Sequence, residues 1–586
     1  MRANDLLNLL RRAPLTADVI LRMLTEDPLL FIVQSFRKLP PRYRKQAARL
    51  IPDLQSSPGL RAFKALLLDH RQQALAILDA SISTKHVGRL ESELLLQLGE
   101  QLPSMADQRT EARRLWTNGD VSAIDPSKLS GRLSERFLGE QTILRPGMGI
   151  QLRPSCIQPQ VDEEELSNRT ARVLYILTNS LPWTRSGYTY RTQSILKAVQ
   201  DNGVEVLGVT RLGYPTTIGA LTASEHDTVD GIRYERLLPS RWPSNPAKRL
   251  AIQADEITKI AQTFRPDVIH TTTNYQNGLV ADAVSRATGV PWVYEMRGNM
   301  EQTWVARQPE AFQAERSRSE YYTLMRTRET EMAQRANAVI ALSSVQKDEL
   351  ISRGIRADKI TVIPNSVDAS VLETQVDRQA ARSRLGLNTD QENPFWVGTV
   401  TSVVDYEGLP TLLNAVRILR NRGHDVRCAI VGDGVALPDL KLRAAELGLE
   451  RENAVVFAGR VPKPESSIWY QSLDVFVIPR IDTIVTRNVA PLKGLEAMAL
   501  GVPVVTSDLP VLCDNITGTN QPKFEAGNAD ALAEQIHTLM TNKDSYEAAS
   551  TNAKREAEAR TWQTSAKSLR ALYSGMTKPS PPTRFS

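Results

Sequence analysis

One segment carries a complete β–α–β pattern: Val475-Phe-Val-Ile-Pro-Arg480, then Pro491-Leu-Lys-Gly-Leu-Glu496-Ala-Met-Ala-Leu-Gly501-Val-Pro-Val-Val505. Two short runs of β-branched and aromatic residues flank a stretch with helical spacing, which predicts two parallel strands joined by a helix. Parallel strands are buried on both faces, so this unit indicates a sheet covered by helices on each side.

The same alternation extends in both directions from this segment. It continues from Phe395 to the closing helices that end near Tyr573, and an earlier series runs from the apolar run at Val173 to Leu342. We therefore predict an α/β protein with two tandem Rossmann-like domains and a cleft between them. Ligands of such sheets bind beyond the carboxyl ends of the strands, so the loops that follow strands are the candidate sites.

The first 140 residues show short amphipathic helical segments separated by prolines and no strand-like run. We predict an all-helical region at 1–140, a linker at 141–168 and Rossmann-like domains at 169–385 and 386–575. The last residues, 576–586, are expected to be a disordered tail.

Composition excludes several classes of protein. With 586 residues, 41% hydrophobic and 24% charged, the chain has ordinary globular values, and its apolar runs are far shorter than the ~20 residues of a membrane span. Three separated cysteines and the lack of an apparent export signal favour a reducing cytoplasm. The net charge is +6, and residues 1–70 hold twelve Lys/Arg against six Asp/Glu, so the basic character belongs to the front end.

Arg480 and Lys493 are candidate anion-binding residues. Arg480 ends a buried strand, and Lys493 lies in the first turn of a helix, where the dipole disfavours a cation unless an anion is bound. Glu496 shares a helix face with Lys493 and could accept hydrogen bonds from sugar or ribose hydroxyls. The alternative is a surface arginine beside a solvated Lys493–Glu496 pair.

Three glycines follow or precede strands where a phosphate could approach the backbone: Gly187, Gly398 (followed by Thr399) and Gly434. Each has a plain alternative, a turn or a helix entry, and for Gly434 the tight turn is favoured because the dinucleotide pattern is broken.

His270 and Arg297 each lie at a strand end and are expected to project toward the same cleft edge. A lone histidine is more often structural than functional. No Asp-x-Asp, HExxH or histidine cluster is present, so we predict no metal site and no cofactor besides the co-substrate.

Residues 171–575 resemble the retaining, nucleotide-sugar-dependent glycosyltransferases of family 4, which have the two-Rossmann GT-B architecture. The resemblance rests on six motifs: Ser180-Leu-Pro-Trp-Thr-Arg-Ser-Gly187, Pro266-Asp-Val-Ile-His270, Val362-Ile-Pro-Asn-Ser-Val-Asp368, Val431-Gly-Asp-Gly434, Val456-Phe-Ala-Gly-Arg460 and Leu495-Glu-Ala-Met-Ala-Leu-Gly-Val-Pro-Val-Val505. In that family the glycine loop approaches the donor, a basic pair binds its diphosphate and a glutamate on this helix contacts its ribose.

The sequence departs from the family pattern at four places. Asn488 stands where the first glutamate of the Glu-x7-Glu pair would be, Thr399 and Glu407 replace the usual basic pair, and Arg297 replaces a common histidine. By this resemblance, Arg480 and Lys493 are therefore expected to bind the donor diphosphate in place of the usual basic pair. Asn488 is kept among the donor contacts.

The predicted activity is transfer of a sugar, with retention, from a UDP- or GDP-sugar to the hydroxyl of a glycan or lipid-linked acceptor in cell-surface polysaccharide or glycolipid assembly. Arg480, Lys493, Arg297 and His270 are the predicted catalytic residues. Two alternatives remain open: a non-catalytic sugar-nucleotide-binding subunit and a sugar-nucleotide epimerase. We expect a cytoplasmic protein without nucleic-acid partners, whose basic helices at 1–140 contact an anionic membrane, dock another protein or form a solvated bundle.

Overall fold

The computed structural model describes residues 3–37, 41–51, 57–68, 70–82, 88–98, 100, 102, 107–152, 170–387, 394–517 and 521–577. Most of the expected linker (153–168) and nearly all of the expected tail (578–586) lie outside the described residues.

The described residues before 153 contain helices and no strand, which confirms the expected all-helical front end. Prolines begin the second, third and fourth helices, where the missing N–H costs nothing. The helices are α1 (Ala3–Glu26), α2 (Pro28–Arg37), α3 (Pro41–Arg49), α4 (Pro58–Leu67), α5 (Arg71–Ile82), α6 (Arg89–Leu98), α7 (Gln108–Asn118) and α8 (Gly131–Leu144).

The first sheet has eight strands in the order β3-β4-β2-β1-β5-β6-β7-β8; β3 runs antiparallel to β4 and the other pairs are parallel. The strands are β1 (Ala171–Leu177), β2 (Val204–Thr210), β3 (His226–Val229), β4 (Ile232–Arg236), β5 (Val268–Thr272), β6 (Trp292–Glu295), β7 (Ala338–Ala341) and β8 (Ile360–Val362). Its helices are α9 (Gly187–Asp201), α10 (Pro246–Phe264), α11 (Tyr275–Thr288), α12 (Met300–Ala306), α13 (Glu310–Arg316), α14 (Glu320–Arg335) and α15 (Ser344–Ser352).

The second sheet has six parallel strands in the order β11-β10-β9-β12-β13-β14. The strands are β9 (Phe395–Val400), β10 (Val426–Val431), β11 (Val455–Gly459), β12 (Val475–Ile478), β13 (Val504–Ser507) and β14 (Lys523–Phe524). The helices that follow β8 are α16 (Ala369–Leu372), α17 (Arg378–Arg384), α18 (Leu409–Asn421), α19 (Leu437–Glu446), α20 (Lys463–Ser472), α21 (Ile484–Asn488), α22 (Lys493–Ala499), α23 (Pro510–Leu512), α24 (Ala529–Thr541), α25 (Lys543–Glu558) and α26 (Trp562–Thr577).

Each sheet reverses its strand order at one point, between β1 and β5 in the first and between β9 and β12 in the second. The loops after these strands diverge there and leave a crevice at the carboxyl edge of the sheet. The predicted fold class, two Rossmann-like α/β units preceded by helices, is confirmed.

The last helix, α26, does not stay with the second sheet. Trp562, Leu569 and Tyr573 are buried in the apolar cluster that packs against one face of the first sheet. The sequence-based assignment of 386–575 to the second domain is therefore wrong at its end, because the apolar face of this helix is buried on the first sheet.

Helix α1 is likewise part of the first sheet's surroundings. Leu15 and Val19 belong to the same apolar cluster as Leu212 and Trp242, which lie in loops at the carboxyl edge of the first sheet. Asp18 accepts a hydrogen bond from the backbone N–H of Trp242 at 3.1 Å. Helix α1 is thus fixed against the loops at the carboxyl edge of the first sheet.

Candidate active site

Arg480 and Lys493 lie close to each other at the switch point of the second sheet, around the carboxylate of Glu407. The Nε and Nη2 atoms of Arg480 donate to the two oxygens of Glu407 at 3.3 and 2.9 Å. Lys493 donates from Nζ to the hydroxyl of Thr401 at 2.6 Å, in the loop after β9. Burial would raise the pKa of Glu407, but Arg480 and Lys493 hold it below its usual value.

The two cations differ in what they still offer a ligand. Arg480 is 6% exposed, and its Nη1 donates to the carbonyl of Val489 at 2.7 Å, so most of its donors are already used. Among the residues that the structure describes, Lys493 has one hydrogen-bonded partner, which leaves two further N–H groups. Burial lowers the pKa of Lys493 to about 8. A nearby anion would raise that pKa again, so the ammonium is the better placed of the two to meet a phosphate.

Helix α22 begins at Lys493, two residues after Pro491. Lys493 still lies in the first turn, as predicted. Glu496 is on the same helix, where burial raises the pKa of its carboxyl and Tyr470 is a hydrogen-bond partner.

The glycine loop of the first sheet faces this region. Ser186 and Thr189 form a capping box that starts α9 at Gly187. A Cβ added at Gly187 would lie 3.2 Å from the side chain of Leu492, so the loop contacts the second sheet's site directly. Lys463, at the start of α20, lies 5.1 Å from the ring centroid of Tyr190, which is a second contact across the cleft.

Arg297 is fixed in place by protein partners. Its Nε donates to Glu295 at 2.9 Å, and its Nη1 donates to the carbonyl of Tyr188 at 3.0 Å and to the hydroxyl of Thr192 at 2.7 Å. Arg191 donates to the other oxygen of Glu295 at 2.7 Å. Arg297 therefore anchors the beginning of α9, and its place among the catalytic residues stays a prediction.

The expectation that His270 reaches the cleft edge is also wrong. Its side chain is fully buried and stacks on Tyr175 with ring centroids 4.3 Å apart. Its Nδ1 lies 2.7 Å from the hydroxyl of Tyr573 on α26. Burial lowers the pKa of His270, so the imidazole is a neutral member of the core that joins α26 to the first sheet.

Protein backbone lies against Gly398 and Gly434, two of the glycines that were expected to admit a phosphate. A Cβ at Gly398 would lie 2.4 Å from the carbonyl oxygen of Ala429, and one at Gly434 would lie 2.0 Å from that of Val403. These glycines allow close packing of neighbouring strands and loops, and their contact with a donor stays a prediction. Thr399 is 3% exposed within β9, so its side chain is inside the protein rather than at the edge.

Asn488, at the end of α21, bridges the two halves. Its Nδ2 donates to Oε1 of Gln302, on α12, at 3.2 Å. Local sequence could not predict this contact, because 186 residues separate the two partners.

Sequence reasoning did not assign a role to Glu407 or Glu295, the two carboxylates that organise the cations. Each is buried, at 7% and 0% exposure, although glutamate is almost never buried unless it is paired. Their positions in the sequence were the available signal. Glu295 ends a buried strand two residues before Arg297, and Glu407 stands next to Gly408, the glycine that precedes α18.

Two facing Rossmann-like sheets with a glycine loop on one side and a cation pair on the other define a GT-B glycosyltransferase. The glycosyl transferases group 1 model matches residues 393–542, and the glycosyl transferase 4-like domain matches residues 186–366. The chain belongs to this glycosyltransferase family, and it is an enzyme that transfers sugars.

Relatives of known name support the same conclusion. Sulfoquinovosyl transferase SQD2 of Arabidopsis thaliana is 23% identical over 418 residues, covering 70% of this chain and 75% of that protein. Alpha-monoglucosyldiacylglycerol synthase of Streptococcus pneumoniae is 24% identical over 326 residues, covering 54% and 70%. Homologues therefore act in glycolipid as well as polysaccharide synthesis.

Solved structures share the fold. Sucrose-phosphate synthase from Thermosynechococcus elongatus superimposes with a TM-score of 0.56 at 18% identity, over 69% of this chain and 99% of that one. Anabaena HepE in complex with UDP-glucose gives a TM-score of 0.53 at 21% identity, over 69% and 99%.

Among the helices that the structure describes, none combines the length and the apolar character that crossing a bilayer requires.

Proposed function

We propose that this glycosyltransferase moves a sugar from a UDP- or GDP-sugar to a hydroxyl of a glycan or lipid-linked acceptor and retains the anomeric configuration. The observation that carries the proposal is the position of Lys493 and Arg480 at the switch point of the second sheet, opposite the glycine loop at Gly187. The relation to HepE, solved with UDP-glucose, makes a uridine donor the first to test.

In the proposed reaction the diphosphate leaves the anomeric carbon as the acceptor oxygen bonds to the same face. Negative charge grows on the leaving phosphate, where Lys493 donates hydrogen bonds and Arg480 adds positive charge. The acceptor hydroxyl passes its proton to that phosphate, so no covalent enzyme intermediate forms. The protein cations take the place of a protein-bound metal, and Glu496 is assigned to the hydroxyls of the donor.

The test is the initial rate of nucleoside diphosphate release and of product formation with purified Lys493→Met and Arg480→Met variants. Each is expected to lower turnover ~10²-fold or more, by analogy with the loss of one oxyanion donor. Lys259→Met, which removes an ammonium whose side chain is 67% exposed on α10, is the matched control. Unchanged turnover in both cleft variants would refute the assignment, and inversion at the anomeric carbon of the product would refute retention.

We further propose that the protein works in the cytoplasm at the anionic inner leaflet, with α1 on the membrane. The outward face of α1 carries Ile20, Leu21 and Leu24, which are 38%, 48% and 46% exposed. Basic residues concentrate in the same front end, which favours an anionic surface.

Co-sedimentation with vesicles of phosphatidylglycerol tests this membrane contact. Ile20→Glu/Leu24→Glu is expected to lower the bound fraction several-fold. The control is Val435→Glu/Leu442→Glu, which alters residues that are 71% and 64% exposed beside the second sheet. Equal binding by both double variants would contradict the membrane role.

A further inference from the structure

Arg211 occupies the carboxyl edge of the first sheet, beside the glycine loop. It follows the last residue of β2, and its backbone N–H donates to the carbonyl of Leu177 at 2.8 Å. Its Nε donates to the carbonyl of Thr178 at 3.2 Å, and its guanidinium lies 5.8 Å from the ring centroid of Tyr214. Tyr214 in turn donates to the carbonyl of Ser180 at 2.7 Å. The side chain is thus held at the carboxyl edge of the first sheet.

The outer end of the Arg211 guanidinium has no protein partner among the described residues. Only Nε donates a hydrogen bond, and no carboxylate lies within 4 Å of the group in that part of the chain. The neighbouring arginines Arg191, Arg236 and Arg297 are each paired with a carboxylate. Burial lowers the pKa of Arg211, and the charge of Arg22 contributes to the same shift. Because the outer N–H groups of this fork are not used by the protein, they are suited to an anion from outside it.

The surroundings of Arg211 also have an excess of donors. Arg22, on α1, and Arg249, on α10, lie on the ring of Trp242 at 5.8 and 5.1 Å from its centroid. The Nε1 of Trp242 and the Nε2 of Gln253 are buried without acceptors among the described residues. Gln253 is next to Arg211, since its Oε1 accepts from the N–H of Leu212 at 3.3 Å.

The neighbouring cations have their own partners. Glu26 pairs with Arg22 at 3.2 Å and with Arg136 at 3.6 Å, and Arg249 donates to the carbonyls of Pro243 and Ser244 at 2.9 and 3.1 Å. Arg211 differs from them, because its outer N–H groups have no acceptor among the described residues. The planar fork of arginine binds phosphate oxygens in pairs, so a phosphoryl group suits this position.

We propose that Arg211 binds a phosphoryl group on the acceptor, close to the hydroxyl that receives the sugar, and thereby selects phosphorylated acceptors. This inference rests on the proposed function in one respect, the assignment of the first sheet to the acceptor. It adds the chemistry by which the acceptor is recognised.

Binding is measured first, by calorimetric titration with inorganic pyrophosphate. The wild-type protein is expected to bind it at two sites, one at Lys493 and one at Arg211. Arg211→Gln should weaken one site about tenfold to a hundredfold, the range for a lost hydrogen bond to a charged group, and leave the other unchanged. Lys493→Met should weaken binding at the Lys493 site and leave the Arg211 site unchanged. If only the Lys493 variant loses a pyrophosphate site, the present inference is overturned. If only the Arg211 variant loses one, the donor assignment is overturned.

Acceptor selection is measured next, with a polyprenyl-diphosphate-linked sugar, the same sugar as its 1-phosphate and the neutral octyl glycoside. The wild-type enzyme should prefer both phosphorylated acceptors to the glycoside by about tenfold or more in kcat/KM, mainly through KM. A preference for the polyprenyl acceptor alone would assign recognition to the lipid and overturn the inference.

Arg211→Gln should lose the preference for phosphorylated acceptors and keep the KM for the donor. An unchanged KM for the donor also shows that this variant is folded. Arg233→Gln, which alters an arginine whose side chain is 63% exposed on β4, is the control. Equal use of the neutral glycoside by wild type, or a preference that survives in Arg211→Gln, would overturn the inference.

Discussion

Raising the pH through 8 is expected to reduce sugar transfer and, over the same range, to stabilise the fold, since both effects come from the ammonium group of Lys493. That group is buried beside Thr401, and burial lowers its pKa from 10.5 to about 8. The ammonium form is the one that stabilises a leaving diphosphate. The neutral amine has lost both the charge and one donor.

The size of the effect follows from the pKa. A fall from 10.5 to about 8 corresponds to about 3 kcal/mol, at ~1.4 kcal/mol for each tenfold change in acidity. Below pH 8 the amine is protonated in both the folded and the unfolded chain, and the folded state bears this cost in full. Between pH 8 and 10.5 the unfolded chain still binds the proton and the folded chain does not, so stability rises with pH.

Activity should change in the opposite direction. The value of kcat/KM should fall about tenfold for each pH unit above 8, because it reports the free enzyme. A bound diphosphate raises the pKa of Lys493, so the fall in kcat should begin at a higher pH than the fall in kcat/KM.

The assay combines initial transfer rates with urea unfolding, both between pH 6.5 and 10, for the wild type, Lys493→Met and Lys259→Met. Differences between wild type and Lys493→Met isolate this residue from other groups that titrate. The stability of Lys493→Met relative to wild type should decrease by about 2.5 kcal/mol between pH 6.5 and 10. A constant difference in stability, together with a kcat/KM that does not fall above pH 8, would refute the reasoning.

Two further substitutions test how the site is supported. Glu295→Gln removes the charge that pairs with Arg191 and Arg297, so it should lower the free energy of unfolding by about 3–5 kcal/mol, whereas Glu205→Gln, at a side chain 49% exposed, should change it by less than about 1. Equal effects in urea unfolding would show that the buried pair is not a structural centre. Gly408→Ala should destabilise more than Gly423→Ala, because both have positive φ but only the former would place a Cβ 1.8 Å from the Pro479 carbonyl. Thermal unfolding of the two variants tests this difference. Equal melting temperatures would show that the clash with the Pro479 carbonyl adds nothing to the cost of the positive φ.

The fold was predictable because its signals are local. The apolar runs that became β12 and β13 and the helical stretch between them depend on residues within about thirty positions of one another. The rule that ligands bind beyond the carboxyl ends of strands then placed Arg480 and Lys493 near one crevice before their partners were known.

Whether each charged side chain is buried and paired was not predictable, because its partner is far away in the sequence. Arg480 and Glu407 are separated by 73 residues, and Arg191 and Glu295 by 104. His270 has the local features of a cleft residue, and it is buried because Tyr573, 303 residues later, lies against it.

Sequence alone determined that this chain forms two parallel α/β sheets and belongs among sugar-transferring enzymes, since strand and helix patterns and family motifs are carried by neighbouring residues. Only the tertiary structure decided which cations are neutralised within the protein and which still present donors to a ligand. Arg297 is in the first group and Arg211 in the second. The physical reason is that the energy of a buried charge depends on the groups around it in space, which the order of residues along the chain does not state.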